Sequence, residues 1–331
     1  MRFDKYEWTA ISIMVSLFIL VGFIQGWSVS LVILNMCIIS AIMTMGVNIS
    51  WGYAGVINFG VMGFLAMGGL AAVLVSYPPI KEAWQVGGSG LGISFILLIV
   101  LVTAVFFITK LVEKKSHKYW LNGLVILFGL IIIRYFFLNA TAKIEEVDPA
   151  LAGFLGGANL PIIFSWVVGG FFAGGVAFVI GKVALGLRSD YLAIVTLGIS
   201  EIVVSVLKHE EWLSRGVKNV IGLKRPVPYE INLQNSEWFI NIVTWFNSSK
   251  LNNIIDPDTK QEVLNNLIID GSGIFVKLNY ALLFFIVMIV IYYFANKAQI
   301  SPWGRMMRAI RDNEVSANAM GKDIVKQHLI I

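Results

Sequence analysis

The chain has 331 residues, of which 57% are apolar and only 14% charged, with a net charge of +5. A soluble domain carries about 25% charged residues, so this chain cannot cover its surface with polar groups, and lipid must serve as much of its solvent. The positive balance is not a nucleic-acid signal, because the basic residues gather at the ends of apolar runs, where they set topology.

Eight apolar runs follow one another: Trp8–Ile24, Trp27–Ile49, Trp51–Tyr77, Leu91–Val112, Tyr119–Leu138, Pro161–Val183, Tyr191–Leu207 and Leu278–Ala295. Arg2 and Lys5 before the first run resemble a signal peptide. No small-x-small cleavage site follows and the second run begins at once, so an uncleaved first span is expected. The third run is rich in glycine and is predicted to be broken or partly re-entrant; the seventh has 17 residues, the short limit for a span. Trp8, Trp27, Trp51, Tyr119, Trp120 and Tyr191 sit at run ends, as interface anchors do. Helices are expected throughout, because lipid leaves no backbone group unpaired and no alternating strand pattern occurs. The predicted fold class is therefore all-α, a polytopic transmembrane helical bundle of about eight spans.

Charge orients the bundle. With the N-terminus inside, the inner segments hold 14 basic residues and the short outer ones only Lys81, Arg134 and Lys143. Both termini are thus expected in the cytoplasm. The predicted organisation is residues 1–207 as seven spans, 208–277 as an extracytoplasmic loop with short helices, 278–297 as the eighth span, and 298–331 as a cytoplasmic segment.

The single cysteine, Cys37, excludes an internal disulfide. His117, His209 and His328 lie far apart in sequence, so no metal site is expected. No phosphate-binding G-x-x-x-x-G-K-[ST] motif occurs, and no nucleophile elbow or paired-histidine motif. An enzyme is not expected, and any ATP hydrolysis belongs to another chain.

Residues 301–321, SPWGRMMRAIRDNEVSANAMG, are the most informative segment. Ser301 suits a helix N-cap, Pro302 its first position and Gly321 its stop. Read as one continuous helix, Met307, Ile310, Glu314, Ala317 and Gly321 share a face. A basic amphipathic helix lying on the membrane has the same pattern.

This run resembles the cytoplasmic coupling segment of ABC-importer permeases, and most closely that of the branched-chain amino acid family. Ser189–Ile202, SDYLAIVTLGISEI, and Gly52-Tyr53-Ala54-Gly55 with Phe59-Gly60 resemble two further signatures of that family. Val56 and Val61 stand where the family commonly has Gln and His, which bears on substrate identity. The resemblance implies the membrane-spanning permease subunit of an ATP-driven importer. It implies as partners ATP-binding-cassette subunits that use ATP and magnesium, a second permease, an extracytoplasmic solute-binding protein and the lipid of a bacterial inner membrane, with no cofactor in this chain. It also implies that Glu314, Ala317, Ala319 and Gly321 dock on the ATPase with Arg308 and Asp312 in support. Relatives continue into further apolar helices where this sequence reaches Ile331, so a truncated record or a completing second chain is expected.

Two readings remain for the glycines. Gly52, Gly55, Gly60 and Gly63 either let helices pack backbone to backbone or line a break along a translocation path. Glu201 is the only acid deep in an apolar run. A charge there costs about 2.5–3.5 kcal/mol on insertion scales, so a pathway or interhelical role competes with solvation near an interface. A gradient-driven secondary transporter or channel is the alternative function, and it would call for inverted repeats and several intramembrane ionisable residues.

Overall fold

A computed structural model describes residues 5–111, 115–149, 153–185, 189–321 and 323–330. The elements in order are α1 (Lys5–Ile24), α2 (Trp27–Val47), a π-helical turn (Asn48–Tyr53), α3 (Val61–Ser76), α4 (Lys81–Leu111), α5 (Lys115–Glu145), α6 (Ile162–Ala184) and α7 (Ser189–His209). Short helices α8 (Glu211–Ser214), α9 (Glu230–Gln234), α10 (Glu237–Phe246) and α11 (Ser248–Asn252) lead to the long α12 (Pro257–Ile300). Last come α13 (Pro302–Asp312), α14 (Glu314–Ala319) and α15 (Ile324–Ile330). No strand occurs among the described residues. Among the described residues six helices are long and apolar enough to cross a membrane, and Trp8–Ile24 and Val61–Ser76 are shorter apolar helices.

The chain divides into two compact units. One holds residues up to Asn58, Leu185–Asp190 and Arg225 onward; the other holds Phe59–Ala184 and Tyr191–Lys224.

In the first unit α2 packs between α1 and α12. Ser30 Oγ donates to the Phe18 carbonyl at 2.9 Å, and Asn35 Nδ2 donates to the Lys277 carbonyl at 3.1 Å. The carboxylate of Asp256 caps α12 by accepting from the Thr259 amide at 3.2 Å, and Pro257 fills the first helical position. With 44 residues, α12 is about 66 Å long at ~1.5 Å per residue, over twice the ~30 Å hydrocarbon core. It runs straight through the expected 277/278 boundary. Gly271 does not break it, because the position lies against Val243 and Phe239 of α10. The N-terminal part of α12 carries an apolar core of its own, built from Val227, Leu233, Phe239, Val243, Ile268 and Val276.

In the second unit α4 and α5 form a long antiparallel hairpin, and α3 packs on α6. Gly169 of α6 lies against Gly68 and Ala71 of α3, so small residues set that crossing. Gly170 and Gly174 of α6 face open space. The loop before α6 closes on the end of α3, with the Ala158 and Leu160 amides donating to the Leu74 and Val75 carbonyls at 2.9 Å each.

The third apolar run is broken, as its glycines suggested. Its first residues extend the second run through the π-helical turn, residues 54–60 are non-helical, and α3 has only 16 residues. At ~1.5 Å per residue α3 is about 24 Å long, shorter than the ~30 Å hydrocarbon core.

Candidate functional site: the 301–321 segment and the broken span

Ser301 ends α12 and starts α13. Its extended backbone turns the chain, its Oγ accepts from the Gly304 amide at 3.4 Å, and Pro302 stands where no donor is needed. Gly304 makes the turn this tight: a Cβ there would lie 2.3 Å from the Gln299 carbonyl oxygen. The last carbonyls of α12 find cationic donors. Arg305 Nη1 donates to Ile300 O at 3.0 Å, while Arg308 reaches Gln299 O and Gly304 O at 3.4 Å each. Positive charge at a helix C-terminus is favourable.

The apolar side of α13 then closes on the broken span. Met307 and Ile310 are fully buried against Ala54, with Val56, Trp303, Ala317 and Ile324 around them. Arg311 Nη1 donates to the Gly52 carbonyl at 2.6 Å, and Asp312 holds the same guanidinium at 2.9 Å. Gly55 adopts φ +74°, and a Cβ there would lie 2.7 Å from Arg311 Cγ. Gly52 is fixed from the other side, since a Cβ would collide with Asn48 Oδ1.

The continuous-helix reading of 301–321 is corrected. Asn313 is extended (φ −158°, ψ 97°) and its side chain caps a second helix by accepting from the Ser316 amide at 2.9 Å. Asparagine hydrogen-bonds the backbone locally better than it continues a helix. Met307 and Ile310 therefore do not share a continuous face with Glu314. They point inward, whereas Glu314 is exposed at the start of α14. Ala317 is half-buried, Ala319 is exposed, and Gly321 ends α14 at φ +76° with its amide on Asn318 O at 2.9 Å. Val315 and Met320 are 80% and 82% exposed beside them, so α14 shows an apolar surface that this unit does not cover.

His328 of α15 is half-buried and its Nε2 has no partner. Burial pushes its pKa below the ordinary 6.5, and Glu314 opposes this in part.

Gly60, Gly63 and Glu201 belong to the second unit. Gly60 precedes α3, and two hydroxyls of α7 meet the start of that helix. Thr196 Oγ1 accepts from the Phe59 amide at 3.1 Å and Ser200 Oγ from the Gly63 amide at 2.7 Å. A Cβ on Gly63 would lie 3.1 Å from Ser200 Cα, so the two backbones touch. Thr196 and Ser200 are buried, whereas Glu201 is on the exposed side of α7. Glu201 comes ten residues after Tyr191 in a span that ends at His209, about 15 Å along it.

The residues expected to support coupling, Arg308 and Asp312, thus hold α13 to its neighbours, while Glu314, Ala319 and Gly321 stand on its outer side. Arg311, Gly304, Ala54, Thr196 and Ser200 were not singled out from sequence. The four-residue spacing of the two hydroxyls inside an apolar run was the signal available for that pair.

Residues 29–331 match the model of a family described as the branched-chain amino acid transport system / permease component. The chain belongs to this family. No curated protein and no solved structure matches. Membership and the apolar helices make this permease-family chain a multi-pass membrane protein. Among the described residues no group of His, Cys, Asp and Glu could hold a metal ion.

Proposed function

We propose that the chain is the membrane-spanning permease subunit of an ATP-binding-cassette importer, carrying branched-chain amino acids or a related small polar solute. The carrying observation is the clamp of α13 on the broken span. Arg311 on the Gly52 carbonyl, with Met307 and Ile310 on Ala54, ties a surface helix to a membrane helix at its interruption. A helix held only by lipid would need neither contact.

In this reading α14 presents Glu314, Val315, Ala319 and Met320 to the ATPase, and a push there reaches the π-helical turn through α13. Both termini lie in the cytoplasm of a bacterial inner membrane, a second permease completes the path, and a binding protein delivers solute at the other side. ATP and magnesium act on the ATPase chain. A mid-span carboxylate against lipid would carry the cost given above, and in this reading Glu201 avoids it by facing the solute path or the second permease.

The test is reconstitution of the chain with its ATPases, second permease and binding protein in proteoliposomes. Leucine uptake that requires ATP and persists when ion gradients are collapsed is expected. Uptake driven by an ion gradient without ATPase would support the secondary-transporter alternative instead.

A further inference from the structure

We propose that the groove bounded by α1, α2 and α12 binds an anionic glycerophospholipid, with one acyl chain in the groove and the phosphate at Lys277. The groove encloses about 610 Å³ and its lining, including Phe18, Leu34, Cys37, Ala281, Phe285 and Met288, is apolar throughout. Along α12 it runs from Leu278 to Met288, about 15 Å at ~1.5 Å per residue. That is half of the ~30 Å hydrocarbon core. One leaflet is the depth of one acyl chain, whereas a partner helix crossing the bilayer would need a groove about twice as long.

The mouth supplies the charge. The Lys277 carbonyl is level with Asn35, which donates to it at 3.1 Å, yet its ammonium turns back to donate to Ser28 Oγ. Those two α2 residues are about 10 Å apart along the helix. Lysine at such a depth carries its charge back to the headgroup layer along its apolar stem. Trp27, beside Ser28, is half-exposed at the same helix end, where an interface anchor belongs. Among the described residues Lys277 makes no ion pair. Lys277 directly precedes Leu278, the first residue of α12 that lines the groove, and a cation without a carboxylate at that end of an acyl-sized groove complements a net negative headgroup.

The chain's one cysteine gives a test that leaves the buried packing alone, because Cys37 is exposed in the groove. The full-length protein, delipidated in neutral detergent, is titrated with dioleoyl-phosphatidylglycerol or dioleoyl-phosphatidylcholine and bound lipids are counted by native mass spectrometry. Wild type is expected to keep one phosphatidylglycerol, preferred about fivefold over phosphatidylcholine, the ratio given by one lysine at a membrane surface. Lys277→Gln should remove the preference and keep the chain-dependent binding. Cys37→Trp should displace both lipids, and inorganic phosphate should displace neither. Equal retention of the two lipids by wild type, a preference surviving Lys277→Gln, or retention unaffected by Cys37→Trp would each overturn the proposal. So would displacement by inorganic phosphate, which marks a free-anion site, or crosslinking of Cys37 to another protein chain with no lipid retained.

Discussion

The guanidinium of Arg311 donates to the carbonyl of Gly52 at 2.6 Å, across 259 residues of sequence. It joins the surface helix to the π-helical turn that ends the second membrane run. Arg311→Ala should cost about 1 kcal/mol of local stability, below the ~1.5–3 kcal/mol of a charge-assisted bond because this one is exposed. Gly55→Ala should cost more, since it adds a Cβ at φ +74° and 2.7 Å from Arg311 Cγ. Hydrogen exchange of the 48–56 amides should accelerate in both variants, with Gly55→Ala the faster.

The α3–α7 crossing should tolerate loss of a hydroxyl better than added bulk. Ser200→Ala leaves the Gly63 amide with the Gly60 carbonyl at 3.1 Å, so a loss of about 1 kcal/mol is expected. Gly63→Ala drives a methyl against Ser200 Cα at 3.1 Å and should lower the thermal midpoint further. Glu201→Gln, on the exposed side of the same helix, should leave that midpoint unchanged and reduce uptake. Wild-type uptake at normal expression would return Glu201 to a solvated position near an interface.

Much of this was legible in the chain because lipid makes apolar length a strong signal. Seven of the eight runs fall on helices over their described residues, the third is interrupted between Tyr53 and Val61, and the clustered glycines between Gly52 and Gly63 marked that break. Three features were not legible. Asn313 sits in a pattern whose helical period continues across it, and only the backbone reveals that its side chain caps a new helix. The partners of Arg311 and Ser200 lie far away in sequence, and one sequence carries no distance between them. The long α12 runs through polar residues 257–276, where hydropathy reports the missing lipid and not the missing helix.

Low pH should release α15. The folded environment holds the His328 pKa below 6.5 through burial, so the folded state prefers the neutral ring. That contribution is full above the unfolded value and is lost as pH falls through the lower folded one. Protection of residues 324–330 against hydrogen exchange should therefore decline as pH drops below 6.5, and His328→Leu should remove the dependence. A protection pattern flat from pH 7.5 to 5 in the native chain would contradict the burial of this ring.

The charge bias of 14 inner against 3 outer basic residues predicts sidedness. In a Cys37→Ser background, single cysteines at Lys115 and Ser316 should react with a membrane-impermeant thiol reagent only from the cytoplasmic side. One at Ser248, in α11, should react only from outside. Labelling of all three from one side would refute the eight-span arrangement.

In the proposed function the 301–321 segment carries ATPase motion into the membrane. Glu314→Lys inverts the charge at the exposed start of α14, and Gly321→Asp adds a charge and a side chain at φ +76° beside it. Both positions are exposed, and neither belongs to the buried cluster of Ala54, Met307 and Ile310 or to the Arg311–Gly52 bond, so insertion and the fold should be retained. The decisive measurement is solute-stimulated ATP hydrolysis, with co-purification of the ATPase, in the assembled complex carrying each variant. Loss of stimulation or of the ATPase in both, with normal membrane insertion, is the predicted result; unchanged coupling in both would reduce the segment to a membrane-surface helix and contradict the account.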